Sequence, residues 1–186
     1  MIFESQQIAL KNGLTAILKT PEAGDGAKML DCIKTICGET EFLVRYPEDW
    51  DGMTVEKEEK WIQNARDSEN TLMMACYING DIVGNCEINF RGGIKTGHRA
   101  VIAISILKKY WGIGIGSHMF RHLIAAAEAH EDTEIVELEY MQGNERGHSL
   151  YEKFGFRIVG ERPNAYKLKD GSLRSEILMQ KVLNKE

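Results

Sequence analysis

Apolar and polar positions change period several times along the chain, and each change marks an element. Residues 7–19 alternate loosely about Asn12-Gly13, a favoured two-residue hairpin turn, which predicts one or two short strands. Pro21 and the Gly24-Asp25-Gly26 group stop them. From Ala27 to Cys37 the residues Met29, Leu30, Ile33 and Ile36 recur at helical spacing, with Gly38 placed as a C-cap. Residues 39–53 mix Phe42, Leu43, Tyr46 and Trp50 with Pro47, Asp49, Asp51 and Gly52, the mark of an ordered irregular loop or a short helix. Thr54 caps a helix running to about Arg66, with Lys57 where a capping box would carry Glu. A hairpin then joins Thr71–Ile78 to Asp81–Phe90 through Asn79-Gly80.

Beyond Gly92-Gly93 the pattern becomes denser. Arg99 to Leu107 reads as a strand, and the run Val101-Ile102-Ala103-Ile104-Ser105-Ile106 is apolar enough to predict a central strand covered on both faces. A glycine-rich turn at 112–116 leads into a helix ending near His130, whose buried stripe is Met119, Phe120, Leu123, Ile124 and Ala127. The strand Ile135–Met141, a helix from about Arg146 to Phe154, and the strand Phe156–Gly160 follow. Ala165–Leu168 and Leu173–Leu183, around Asp170-Gly171, complete the chain as a last pair of strands. No repeat or linker interrupts this order, so residues 1–186 are expected to form one domain, as the length suggests.

Composition narrows the function classes. With 43% hydrophobic and 27% charged residues the chain has the profile of a packed globular protein. The net charge of −5, with acidic excess at Glu56-Lys57-Glu58-Glu59 and Glu131-Asp132-Thr133-Glu134, argues against nucleic acid as the main partner. Cys32, Cys37, Cys76 and Cys86 lack the paired spacing of a structural zinc site and read as reduced core thiols. Met1-Ile2-Phe3-Glu4 lacks a basic stretch followed by an apolar run, and no window approaches about 18 uninterrupted apolar residues. A cytoplasmic location without membrane insertion is the expectation.

The most informative element is a strand, then Tyr110-Trp111-Gly112-Ile113-Gly114-Ile115-Gly116-Ser117, then a helix. Glycines at such a junction let the backbone approach a ligand closely and aim free N–H groups at one point, where the helix dipole also attracts anions. A phosphate or pyrophosphate is the natural guest. Neither the P-loop spacing nor the dinucleotide GxGxxG spacing is present. Taken alone, the triplet fits equally a tight turn with close helix packing.

A second segment changes that balance. Residues 144–156 read Asn144-Glu145-Arg146-Gly147-His148-Ser149-Leu150-Tyr151-Glu152-Lys153-Phe154-Gly155-Phe156. An N-x-R-x-x-x-LYxKxGF segment about thirty residues after a WGxGIG turn closely resembles the GNAT acetyltransferase pattern, and the likeness extends in element order over nearly the whole chain. The resemblance implies an α/β fold: a mixed, mostly antiparallel sheet splayed between strands 4 and 5 and flanked by about four helices. It also implies acetyl-CoA in the wedge as acetyl donor, an amine acceptor, and a homodimer.

By the same likeness the backbone of Ile104, Ser105, Ile106 and Leu107 would pair with the pantetheine arm, and an N–H near Ile106 would polarise the thioester carbonyl. Amides of Trp111, Gly112, Ile113, Gly114, Ile115, Gly116 and Ser117, with the Ser117 hydroxyl, would hold the pyrophosphate. Asn144 would stand beside the pantetheine arm, and Tyr151 would protonate the departing thiolate. Packing on the following strand is the alternative role for Tyr151.

The resemblance also has gaps. Val101 stands where the family often has a basic Glu on the central strand, which leaves Glu87, Glu139 and His98 as candidate bases, each also readable as a solvated surface group. Trp111 stands where the family commonly has Arg or Gln, and Ile113 where a basic residue is common; Lys108 or Lys109 could supply charge instead. His118 and His122 lie four apart on a helix, but HExxH lacks its Glu because Met119 follows His118, so no metal is expected. Phe42, Tyr46, Trp50 and Trp61 fall where an acceptor pocket would be shaped, or where a core would be packed. Three readings stand: an acetyltransferase acting on a small amine, polyamine, amino sugar or protein amine; a catalytically silent acyl-CoA binder; and an unrelated nucleotide-binding domain.

Overall fold

The computed structural model describes residues 1–183. Among these, an eight-stranded sheet runs in the order β1-β2-β3-β4-β5-β6-β8-β7. The strands are β1 (Gln6–Ala9), β2 (Thr15–Lys19), β3 (Thr71–Ile78), β4 (Asp81–Phe90), β5 (Arg99–Ile106), β6 (Ile135–Met141), β7 (Arg157–Lys167) and β8 (Leu173–Val182). The helices are α1 (Gly26–Glu39), α2 (Val55–Asp67), α3 (Ile115–Ala129) and α4 (Glu145–Lys153). All neighbours pair antiparallel except β5 and β6.

Most elements follow from local chemistry. The Thr54 hydroxyl accepts from Lys57 N at 3.3 Å and starts α2. Asn79 and Gly80, both left-handed at φ 52° and 86°, make the tight β3–β4 turn. The β1–β2 connection departs from the expected two-residue turn. Ala9 pairs with Thr15, Leu10 N donates to Leu14 O at 2.8 Å, and the loop comprises residues 11–13 with Gly13 at φ 83°.

Two further expectations change. Gly38 lies inside α1, which ends at Thr40 in extended conformation. The separate strands expected at 156–160 and 165–168 are one strand, β7, with register shifts at Ile158/Gly160 and Arg162/Tyr166. Pro163 has no N–H for a ladder, so the strand bulges around it. The buried Glu176 carboxylate ties both ends of the bulge, accepting from Arg162 Nη1 and the Tyr166 hydroxyl.

The helices cover both faces of the sheet. On β4, Asn85 Nδ2 donates to Met29 Sδ of α1, whereas the Phe90 ring stacks on His130 at the end of α3 at 4.2 Å. Those two residues have opposite parity and project to opposite faces. Phe120 of α3 contacts the Tyr151 ring of α4 at 5.4 Å, and Tyr151 contacts Tyr140 of β6 at 5.5 Å, so α3 and α4 share a face. All four cysteines are buried and free, and burial raises their thiols, Cys32 and Cys76 to about 12. No described helix is long and apolar enough to cross a membrane.

The feature that positions the site is the β5–β6 junction. These parallel strands pair only over Arg99↔Ile135, Ala100↔Val136 and Val101↔Glu137, then separate. The sheet is thus splayed at the expected place. It falls between the fifth and sixth strands because two strands, β1 and β2, precede α1.

Candidate active site

Backbone geometry defines one wall of the wedge. Leu107 N donates to Val83 O at 2.9 Å, and Arg91 N donates to Arg99 O at 2.9 Å, so odd-numbered residues of β5 direct their backbone groups to β4. Even-numbered residues face β6. At the paired end this is satisfied, since His98 O accepts from Ile135 N at 3.0 Å. At the splayed end, Ile104 and Ile106 turn their N–H groups into the gap without a strand to receive them, and Trp111 Nε1 caps Ile106 O at 2.7 Å.

The gap opens into a cavity of about 820 Å³, within the range of small-ligand sites. Its lining brings together Ile104, Ser105, Ile106, Trp111, Gly112, Gly114, Ile115, Gly116, Ser117, Asn144 and Tyr151 from the expected set. Leu107 and Ile113 do not line it. Leu107 is buried against the core, and Ile113 turns its carbonyl to Lys11 N at 3.0 Å.

The turn conforms to an anion cradle. Gly112 and Gly114 are left-handed at φ 80° and 107°, a region costly for residues with a Cβ. The first α3 backbone bond runs from His118 N to Gly114 O, leaving the N–H groups of Ile115, Gly116 and Ser117 without intrahelical acceptors. A Cβ on Gly116 would meet Leu150 Cδ2 at 3.0 Å and Ile106 Cδ1 at 3.5 Å. That glycine keeps the floor of the cavity low.

Asn144 caps α4, its Oδ1 accepting from Gly147 N at 3.0 Å, and the residue lines the cavity. Tyr151 is 7% exposed, and burial pushes its phenol up to about 12. It therefore keeps its proton throughout the neutral range.

The three candidate bases separate. His98 lies just before β5 at the paired end, about 20 Å of extended strand from Ile104. Glu139 is exposed on β6 opposite Leu178. Glu87 lies on β4 opposite Ala103, accepts from Asn89 Nδ2 at 2.9 Å, and has its carboxyl raised by burial. Glu137, on the same face, is occupied by Arg99 Nε at 2.9 Å and Gln180 Nε2 at 2.6 Å. Ala103 itself is exposed, so the expectation that both faces of β5 are covered does not hold. Glu87 lies on the same face as Ala103, a face that α1 covers farther along at Asn85.

Other expected residues lie apart or nearby. Phe42 and Leu43 line the cavity, while Trp61 is 41% exposed on α2. A second cavity of about 550 Å³ adjoins the first through Thr40, Phe42 and Trp111, and Tyr46 lies on its wall. Lys108 lines that second cavity, and Lys109 rests against the Tyr110 ring at 5.0 Å; neither reaches the main one. The cations on the main cavity are Lys11, Arg146 and Lys153, which the turn's own sequence does not disclose. Among the described residues no group of three or more His, Cys, Asp or Glu is arranged to hold a metal, and His122 instead packs on Phe3 at 4.8 Å.

Comparison with known proteins gives consistent results. A family model described as the acetyltransferase (GNAT) family matches residues 39–156. L-amino acid N-acetyltransferase AaaT of Escherichia coli (strain K12) is 24% identical over 122 residues, covering 66% of this chain and 75% of that protein. N-alpha-acetyltransferase 50 of Danio rerio is 30% identical over 98 residues, or 52% of this chain and 57% of that protein. A GNAT-family acetyltransferase structure from Streptococcus pneumoniae superposes with a TM-score of 0.83 at 25% identity, over 90% of this chain and 99% of that one. The structure of yncA from Salmonella typhimurium, described as a putative acetyltransferase with its cofactor acetyl-CoA, superposes at 0.77 with 14% identity, over 92% and 95%.

Proposed function

The chain belongs to the GNAT acetyltransferase family, and from that membership we propose that it transfers an acetyl group to a primary amine by direct attack within a ternary complex. It is an acetyl-CoA-dependent N-acetyltransferase; the primary amine and the direct route are our reading. The observation that carries the route is the unpaired edge of β5 at the splay, where the N–H groups of Ile104 and Ile106 face the same cavity as Tyr151.

Bound acetyl-CoA supplies an activated acetyl thioester. The chain supplies position and protons. The β5 edge pairs with the extended pantetheine arm as a further strand, and an Ile104 or Ile106 N–H stabilises negative charge on the thioester oxygen. The Trp111 N–H is spent on Lys108 O at 3.1 Å and Ile113 is off the cavity, so amides of Gly112, Gly114, Ile115, Gly116 and Ser117 at the α3 N-terminus hold the pyrophosphate, with Asn144 beside the arm. The Tyr151 hydroxyl, held protonated by burial, faces the cavity and gives its proton to the leaving sulfur.

The amine must arrive neutral, and its proton must leave. Glu87 fits this task among the three candidates: it lies opposite the exposed Ala103, burial raises its proton affinity, and it accepts a hydrogen bond from the Asn89 side-chain amide. A carboxylate one strand from β5 reaches an amine over Ala103 through a water. With Glu87 in this position, Val101 need not carry the base.

The test is product formation across amines. Thiol release from acetyl-CoA, with the acetylated product identified by mass, is measured for L-amino acids, peptides with free N-termini, polyamines and amino sugars. L-amino acids and N-terminal α-amines head the panel because two relatives are named for them. Turnover with any of these supports the reading. Tight acetyl-CoA binding without turnover on the whole panel replaces it with a silent binder.

A further inference from the structure

Three cations meet the glycine turn from parts of the chain outside it. Lys11, in the β1–β2 loop, is docked by its own N–H on Ile113 O at 3.0 Å, and its Cγ would lie 3.8 Å from a Cβ on Gly114. Arg146, in the first turn of α4, stacks its guanidinium over the Trp111 ring at 5.1 Å, and its Nη1 would lie 3.7 Å from a Cβ on Gly112. Lys153, at the other end of α4, donates to Ser117 Oγ at 3.2 Å. All three line the main cavity, and none takes part in a salt bridge among the described residues.

Such an arrangement raises the local positive potential without internal compensation except from Glu145, which shares the lining. Trp111 and Ile113 contribute no charge from the turn itself, so these cations come from distant segments. Lys11 also lies outside residues 39–156, the part matched by the family model.

We propose that Lys11 and Arg146, one beside each left-handed glycine, bind the phosphates of the donor's nucleotide end, with Lys153 joining them at Ser117. The N-terminal hairpin is then part of the donor site. Trp111 serves it twice, holding Arg146 on its ring while its indole N–H caps β5. The inference rests on the acetyl-CoA reading above and adds the residues that recognise the anion.

The test measures binding by calorimetry in place of turnover. Dissociation constants for CoA and dephospho-CoA are compared among the unaltered chain, Lys11→Ala, Arg146→Ala, the charge-retaining Lys11→Arg, and Lys60→Ala as an exposed cation on α2. Melting without ligand controls for folding. About tenfold weaker CoA binding is expected for each alanine variant at Lys11 and Arg146, with Lys11→Arg and Lys60→Ala close to the unaltered chain. If the loss disappears with dephospho-CoA, the bound group is the 3′-phosphate; if it persists, the bound group is the pyrophosphate. Unchanged CoA affinity in both alanine variants overturns the inference while leaving the acetyltransferase reading intact. No CoA binding by the unaltered chain overturns both.

Discussion

Trp111 Nε1 donates to the carbonyl oxygen of Ile106 at 2.7 Å, and this bond ties the glycine turn to the last residue of β5 on the edge left open toward β6. It satisfies the carbonyl and leaves the neighbouring N–H groups as donors into the wedge. Trp111→Phe should leave Ile106 O without its partner. The expected loss is about 1 kcal/mol of stability, or about 2–4 °C in Tm, read by thermal unfolding. A larger fractional loss is expected in CoA affinity, because Phe also holds Arg146 less well.

Tyr151→Phe removes a proton and keeps the ring between Phe120 and Tyr140. Turnover should fall about a hundredfold with CoA affinity unchanged within about twofold. Steady-state kinetics beside calorimetry separates the two quantities. Unchanged turnover contradicts the acid assignment.

The proposed base role of Glu87 requires its ionised form, and burial raises its carboxyl above the usual carboxylate range. Activity of the unaltered chain should therefore rise with pH through that elevated value. Glu87→Gln should remove this limb and lower turnover about a hundredfold, with little change in acetyl-CoA binding. A pH–rate profile of both proteins is the measurement.

Glu58 on α2 is 1% exposed, and its Oε1 has no hydrogen-bond partner among the described residues. Burial raises its pKa in the folded state, so the unfolded chain releases the proton first as pH increases. Stability from this group is therefore full below the ordinary carboxylate value and falls as pH rises through the folded value. Denaturant midpoints at pH 4 and pH 8 should show a smaller decline for Glu58→Gln than for the unaltered chain.

How much of this was legible in the sequence depended on locality. The α2 cap at Thr54 and the Asn79-Gly80 turn are short-range devices, and both formed as read. Strand 157–167 reads as two in the sequence because Pro163 interrupts its pattern, while the Glu176 carboxylate that bridges the bulge lies ten or more residues away. At the site, the glycine turn and the Asn144–Phe156 segment placed most of the cavity wall. The cations Lys11 and Arg146 could not be placed at the cavity from the sequence, because their proximity to Gly114 and Gly112 is made by tertiary folding. Glu87 was separable from Glu139 and His98 only once pairing register and burial were known.

The central claim is that the splayed β5–β6 wedge binds acetyl-CoA, and thermal unfolding with and without that ligand tests it most directly. At ligand about one hundred times the dissociation constant, binding to the folded chain alone adds about 2.7 kcal/mol. The account predicts a rise in Tm of about 5–10 °C that ATP and NAD do not reproduce. No shift with millimolar acetyl-CoA, or an equal shift with ATP or NAD, would contradict it.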